Sequence, residues 1–170
     1  MIKVFLVEDE VVMRNGIKNN IPWEKEGLIF AGEASDGELA YPMIKKAQPD
    51  ILITDIRMPF MDGLELSELV KKEFPKIKII ILSGYNEFDY AKQAIHIGVT
   101  DYLLKPITAS KLLEAVKKVA DVIEKEREEE GMLERYRLEM AENTVLERQR
   151  LFRDLVTSRI NFKEALERGE

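Results

Sequence analysis

Five short runs of aliphatic and β-branched residues alternate with segments of helical periodicity, and this alternation limits the possible folds more than any other feature. Ile2 to Val7, Leu28 to Glu33, Ile51 to Thr54, Ile77 to Leu82 and Tyr102 to Leu104 read as strands. Between them, apolar residues recur at spacings of three and four near 11–20, 37–47, 63–74 and 87–97. Runs this short and this apolar suit strands buried on both faces, and strands alternating with helices imply parallel pairing. The expected fold class is α/β, a doubly wound five-stranded parallel sheet. The punctuation agrees: Asp62 before Gly63 is an N-cap pattern, Gly98 closes a helix, and Pro75 stops one. Pro42, inside the second helical pattern, should kink it.

Composition excludes several chemistries. The 170 residues include no cysteine, so disulfides, thiolate metal sites and a Cys nucleophile are out. The net charge is -6 and no basic cluster stands out, which argues against direct nucleic-acid binding by this chain. Apolar runs such as Ile79 to Leu82 are too short to span a bilayer, and Met1-Ile2-Lys3 opens without a signal-peptide pattern. No membrane association and a cytoplasmic location are expected.

The last third has a different character. A helix expected from Thr108 continues into 121–135, where ten of fifteen residues are charged. Leu112, Val116, Val119 and Ile123, then Glu126 and Glu130, then Leu133, Tyr136 and Met140 follow a heptad-like seam with a polar gap. The 108–141 helix is therefore expected to pair as a homodimer, the alternative being a solvated helix face, since Glu at two successive seam positions weakens a coiled coil. Asn143-Thr144 should interrupt it, since Thr144 with Glu147, and Asn161 with Glu164, have capping-box spacing. Two regions follow: a domain over 1–125 and a helical, coiled-coil-like extension over 126–170.

In open parallel sheets, chemistry sits beyond the carboxyl ends of the strands. The first strand delivers Glu8, Asp9 and Glu10, the third Asp55, the fourth Ser83, and the fifth Lys105 followed by Pro106. Any one of these is ordinary, since strand-end acids are often helix caps or solvated loop residues. Together they are the residue types of phosphoryl chemistry. Asp9 and Asp55 supply hard oxygens suited to Mg²⁺, and a carboxylate can form an acyl-phosphate. The Lys105 ammonium and Ser83 hydroxyl can stabilise the charge of a transferring phosphoryl group.

VFLVEDE, ILITDIRMPFMDG, IIILSGY and DYLLKP resemble, in order and spacing, the motifs of the response-regulator receiver domain (CheY-like) over residues 1–125. The resemblance implies that Asp55 is the phospho-acceptor. It implies that Asp9, Asp55 and the backbone carbonyl of Arg57 hold Mg²⁺, with Glu8 assisting. It further implies that Lys105 contacts the phosphoryl group, that Ser83 and Tyr102 form the switch pair, and that Pro106 follows a cis bond. The side chains of Arg57 and Tyr85 would flank the path of attacking water. RNGIKNNIPWEKEGLIFAGEASDG and LERQRLFRDLVTSRINFKEAL are similar to YesN-type regulators, whose AraC-type DNA-binding output follows a helical linker. The implied partner is a sensor histidine kinase, with DNA bound only through an output domain absent from this chain.

The competing enzyme reading is an Asp-nucleophile phosphatase of haloacid-dehalogenase type. It needs a D-x-D pair, and Asp55 is followed by Ile56 and Arg57. No phosphate-binding glycine loop occurs. His96, the only histidine, reads as a surface or partly packed residue, and Trp23 as a loop anchor against the first helix. Met58 and Met61 bracket the turn after Asp55 and read as loop packing or an adaptable contact for a kinase.

Overall fold

The computed structural model describes residues 1–84, 88–167 and 169. The chain divides into two compact units, Met1–Ile123 and Glu124–Glu170. In the first, strands β1 (Ile2–Val7), β2 (Leu28–Ala34), β3 (Ile51–Asp55), β4 (Lys78–Ser83) and β5 (Asp101–Leu104) form one parallel sheet in the order β2-β1-β3-β4-β5. Helices α1 (Val11–Asn20), α2 (Gly37–Ala47), α3 (Gly63–Glu73), α4 (Phe88–Ile97) and α5 (Ala109–Glu167) follow the strands in turn.

The two-residue alternation of each strand feeds two separate cores. Val4 and Leu6, Ile51 and Ile53, and Ile80 and Leu82 face one side, where Ile17 of α1 and Leu112, Val116 and Val119 of α5 cover them. Phe5 and Val7, Leu52, and Ile79 and Ile81 face the other, under Ile44 of α2, Leu66 and Val70 of α3 and Ala94 of α4. Burial on both faces is why these strands read as continuous apolar runs. The ladder slips by one residue between Val4 and Phe5, where the Phe5 ring lies against Gly32.

The caps follow the expected chemistry. Asp62 accepts from Glu65 N at 2.8 Å, Thr108 from Lys111 N at 3.1 Å, and Gly98 adopts φ +90°. Asp36 also caps α2, accepting from Leu39 N at 2.8 Å. Pro42 lies inside α2 and removes the N–H that would bond the Glu38 carbonyl. Trp23 is buried and donates Nε1–H to the Lys18 carbonyl at the end of α1, as an anchor should.

Two expectations for the last helix are corrected. Leu112, Val116, Val119 and Ile123 belong to the sheet-facing core, so the first half of the heptad-like seam is spent inside the first unit. Spacing by threes and fours marks an apolar stripe without saying what covers it. The break at Asn143-Thr144 is absent, because α5 runs unbroken from Ala109 to Glu167. Thr144 hydrogen-bonds back to the Met140 carbonyl at 2.8 Å, so its hydroxyl is satisfied within the helix rather than capping a new one. Asn161 and Glu164 likewise lie within α5.

Candidate functional site

All five strands are parallel, so their carboxyl ends share one edge of the sheet. Glu8 and Asp9 leave β1 there, and Asp55 ends β3. A carboxylate oxygen from each of Glu8, Asp9 and Asp55 falls within a mutual distance of 4.8 Å. The Lys105 ammonium reaches the group from the end of β5, at 3.0 Å from Asp55 Oδ2 and at 3.1 and 3.2 Å from the Glu8 oxygens. Lys105 is positioned by its own backbone, whose N–H donates to the Ser83 carbonyl at 2.7 Å, and the peptide bond to Pro106 is cis.

Asp55 is held by the turn that follows it. Its Oδ1 accepts the N–H of Ile56 at 2.8 Å, and the buried Thr54 hydroxyl donates to its backbone carbonyl at 3.0 Å. The turn closes through Gly63 N–H to the Ile56 carbonyl at 2.7 Å. Phe60 adopts φ +68°, an uncommon conformation for a bulky residue, and Met61 N–H bonds the Pro59 carbonyl at 2.8 Å around it.

Three acids this close repel one another. Burial, followed by the charge of Asp55, pushes the Glu8 carboxyl up to about 7. Burial and the same Asp55 charge also raise Asp9. Burial pulls the Lys105 ammonium down, but its hydrogen bonds and proximity to Asp55 and Glu8 outweigh this and raise it above its ordinary value. One lysine against three carboxylates leaves a surplus of negative charge over hard oxygen donors, the environment that suits Mg²⁺.

Ser83 is buried at the end of β4, beside Leu104 of β5 in register. Tyr102 is partly buried and packs against the core under α2, α3 and α4. The Arg57 side chain is exposed and turns toward α4, where its Nε donates to the Tyr90 hydroxyl at 3.2 Å and its guanidinium lies 5.8 Å from the ring centre. Tyr85 lies outside the described residues. Met58 and Met61 pack against the core, and His96 is exposed.

Arg14 was not anticipated. One turn into α1, it donates Nη1–H to the Glu8 carbonyl at 2.8 Å and ties the helix to the end of β1. A basic residue one turn after strand-end acids was the available signal. Tyr90 carried no signal, since its partner lies 33 residues away in sequence.

Among the described residues no helix is long and apolar enough to cross a membrane. The family profile described as response regulator receiver domain matches residues 4–117. The chain is 41% identical over 119 residues to the uncharacterized transcriptional regulatory protein YesN of Bacillus subtilis, covering 70% of this chain and 32% of that protein. It is 39% identical over 112 residues to the transcriptional regulatory protein HptR of Staphylococcus aureus, covering 66% and 44%. The chain thus spans less than half the length of these relatives. Among solved structures, the REC domain of AraT, a response regulator from Geobacillus stearothermophilus, superimposes with a TM-score of 0.69 at 39% identity, covering 74% of this chain and 97% of that one. A two-component transcriptional regulator AraC from Clostridium phytofermentans gives a TM-score of 0.66 at 31% identity, covering 75% and 98%. With the motifs, sheet order and acidic edge in agreement, this chain belongs to the response regulator receiver domain family.

Proposed function

We propose that Asp55 accepts a phosphoryl group from the phosphohistidine of a sensor histidine kinase. The carrying observation is the Lys105 ammonium 3.0 Å from an Asp55 oxygen, within a cluster of three carboxylates. An Asp55 oxygen attacks phosphorus, the new O–P bond forms, and the histidine nitrogen leaves with the electrons of the broken N–P bond. Lys105 then holds a phosphoryl oxygen and neutralises part of its charge.

Asp9, Asp55 and the Arg57 carbonyl would hold Mg²⁺, with Glu8 assisting. Mg²⁺ when bound would neutralise charge on the phosphoryl oxygens. The acidic surplus, too large for Lys105 alone, supports this fit. Ser83 and Tyr102 form the switch: the Ser83 hydroxyl turns to the phosphoryl group and Tyr102 moves further inward. Such a switch shifts a population between two existing states.

In this reading residues 1–125 are the receiver and 126–170 a linker to a DNA-binding output domain outside this chain, and the protein is cytoplasmic. The chain pairs as a homodimer through the helix beyond Ile123, the part not consumed by the core. The chemistry is self-phosphorylation and slow autodephosphorylation rather than turnover of a metabolite. A phosphatase of the D-x-D type is disfavoured, because Arg57 stands where its acid would be.

The test is acetyl phosphate with Mg²⁺, read by intact-protein mass. One phosphoryl group should be gained, EDTA should prevent it, and Asp55→Asn should abolish it. Full labelling of the Asp55→Asn protein would refute the assignment.

A further inference from the structure

We infer that a second copy of this chain covers the apolar face between Leu138 and Leu166, with the two helices parallel. This rests on the homodimer reading above and names its interface. The earlier seam cannot serve, because Leu112 to Ile123 are buried in the first unit and Leu133, Tyr136 and Met140 lead on to Asn143, Glu147 and Arg150. A different frame continues. Leu138, Val145, Phe152 and Leu166 recur at intervals of seven or a multiple of it. Ala141, Leu155 and Phe162 take the position three residues later. The six large ones are all more than half exposed. The frame lasts four heptads, about 43 Å of helix, which is the length at which such a repeat indicates a coiled coil.

Charge argues for the second copy and for its direction. In a parallel pair, the residue before one seam position faces the residue five further along the partner. Arg137 therefore faces Glu142 of the other copy, twice by symmetry. Two heptads later the same relationship joins Leu151 to Val156, both exposed, and widens the apolar contact. An antiparallel pair sets like positions together and separates Arg137 from Glu142. Arg148 and Arg159 fill the remaining seam positions, each opposite its own copy. Their stems can lie along the apolar surface with the guanidinium in water, which makes the association weaker and reversible.

The absence of cysteine makes the test direct. Single-cysteine variants of the full chain are oxidised in a glutathione buffer, with and without acetyl phosphate and Mg²⁺, alongside sedimentation equilibrium. Val145→Cys should cross-link to itself about tenfold faster than Leu146→Cys, which lies one residue around the helix. Phe152→Asp should weaken dimerisation at least tenfold, a change of ~1.4 kcal/mol. Arg148→Leu combined with Arg159→Leu should tighten it. Circular dichroism checks that each variant keeps its helix content. A chain that stays monomeric under both conditions overturns the homodimer reading and this interface together. A dimer unaffected by Phe152→Asp overturns this interface alone. Preferential cross-linking of a Leu138→Cys chain to a Phe162→Cys chain overturns the parallel direction.

Discussion

Gly63 sits so close to Asp55 that a β-carbon on Gly63 would lie 1.7 Å from the Asp55 backbone oxygen. The side chain missing from Gly63 is therefore what lets the first turn of α3 pack against the end of β3 and set the position of the carboxylate. Gly63→Ala should destabilise the fold by about 3 kcal/mol or more, because the clash is with backbone and no rotamer relieves it. Urea denaturation measures this. A variant as stable as the parent would show that the loop closes differently.

The Lys105 ammonium lies 3.0 to 3.2 Å from carboxylate oxygens of both Asp55 and Glu8. Lys105→Met should slow labelling by acetyl phosphate about 100-fold, the typical cost of removing one donor to developing negative charge. Lys105→Arg should restore only part of the rate, since a planar fork does not reproduce a compact ammonium. Equal rates for the three proteins would remove Lys105 from the chemistry.

The Glu8 carboxyl is pushed up to about 7 by burial and by Asp55, from an ordinary value of 4.5. The folded protein therefore keeps a proton that the unfolded chain releases above its own, lower value. This contribution to stability is complete at low pH and is lost as pH rises through about 7. Metal-free protein should show a Tm that declines between about pH 5 and pH 8, and Glu8→Gln should flatten that decline. Mg²⁺ should raise the Tm more at the alkaline end, where the carboxylates are charged and available as ligands. A Mg²⁺ effect independent of pH would contradict the site.

Arg57 reaches across to α4 and is held by the hydroxyl and ring of Tyr90. If Asp55 carries the phosphoryl group as proposed, a guanidinium pinned there would shield the acyl-phosphate from water. Arg57→Ala should shorten the phosphoryl lifetime between about twofold and tenfold, and Tyr90→Phe should shorten it less because it keeps the ring. The decay of phosphoprotein on a phosphate-affinity gel reports both rates. Identical lifetimes would place the Arg57 side chain off the water path.

The strands and the acidic edge were legible in the residues because both depend on short-range order. A buried parallel strand must be apolar throughout, and parallel strands in one sheet bring all their carboxyl ends to the same side. That is enough to bring Glu8, Asp9, Asp55, Ser83 and Lys105 to one edge from their order alone. The meetings of Arg57 with Tyr90 and of Arg14 with the Glu8 carbonyl were decided only by the folded chain, since each depends on side-chain direction across separate elements. The long helix shows the same division. Leu112 to Ile123 and Leu138 to Leu166 carry the same kind of periodicity, yet the first stripe is buried against the sheet and the second is exposed. Periodicity records which face of a helix is apolar, whereas what covers that face depends on contacts distant in sequence.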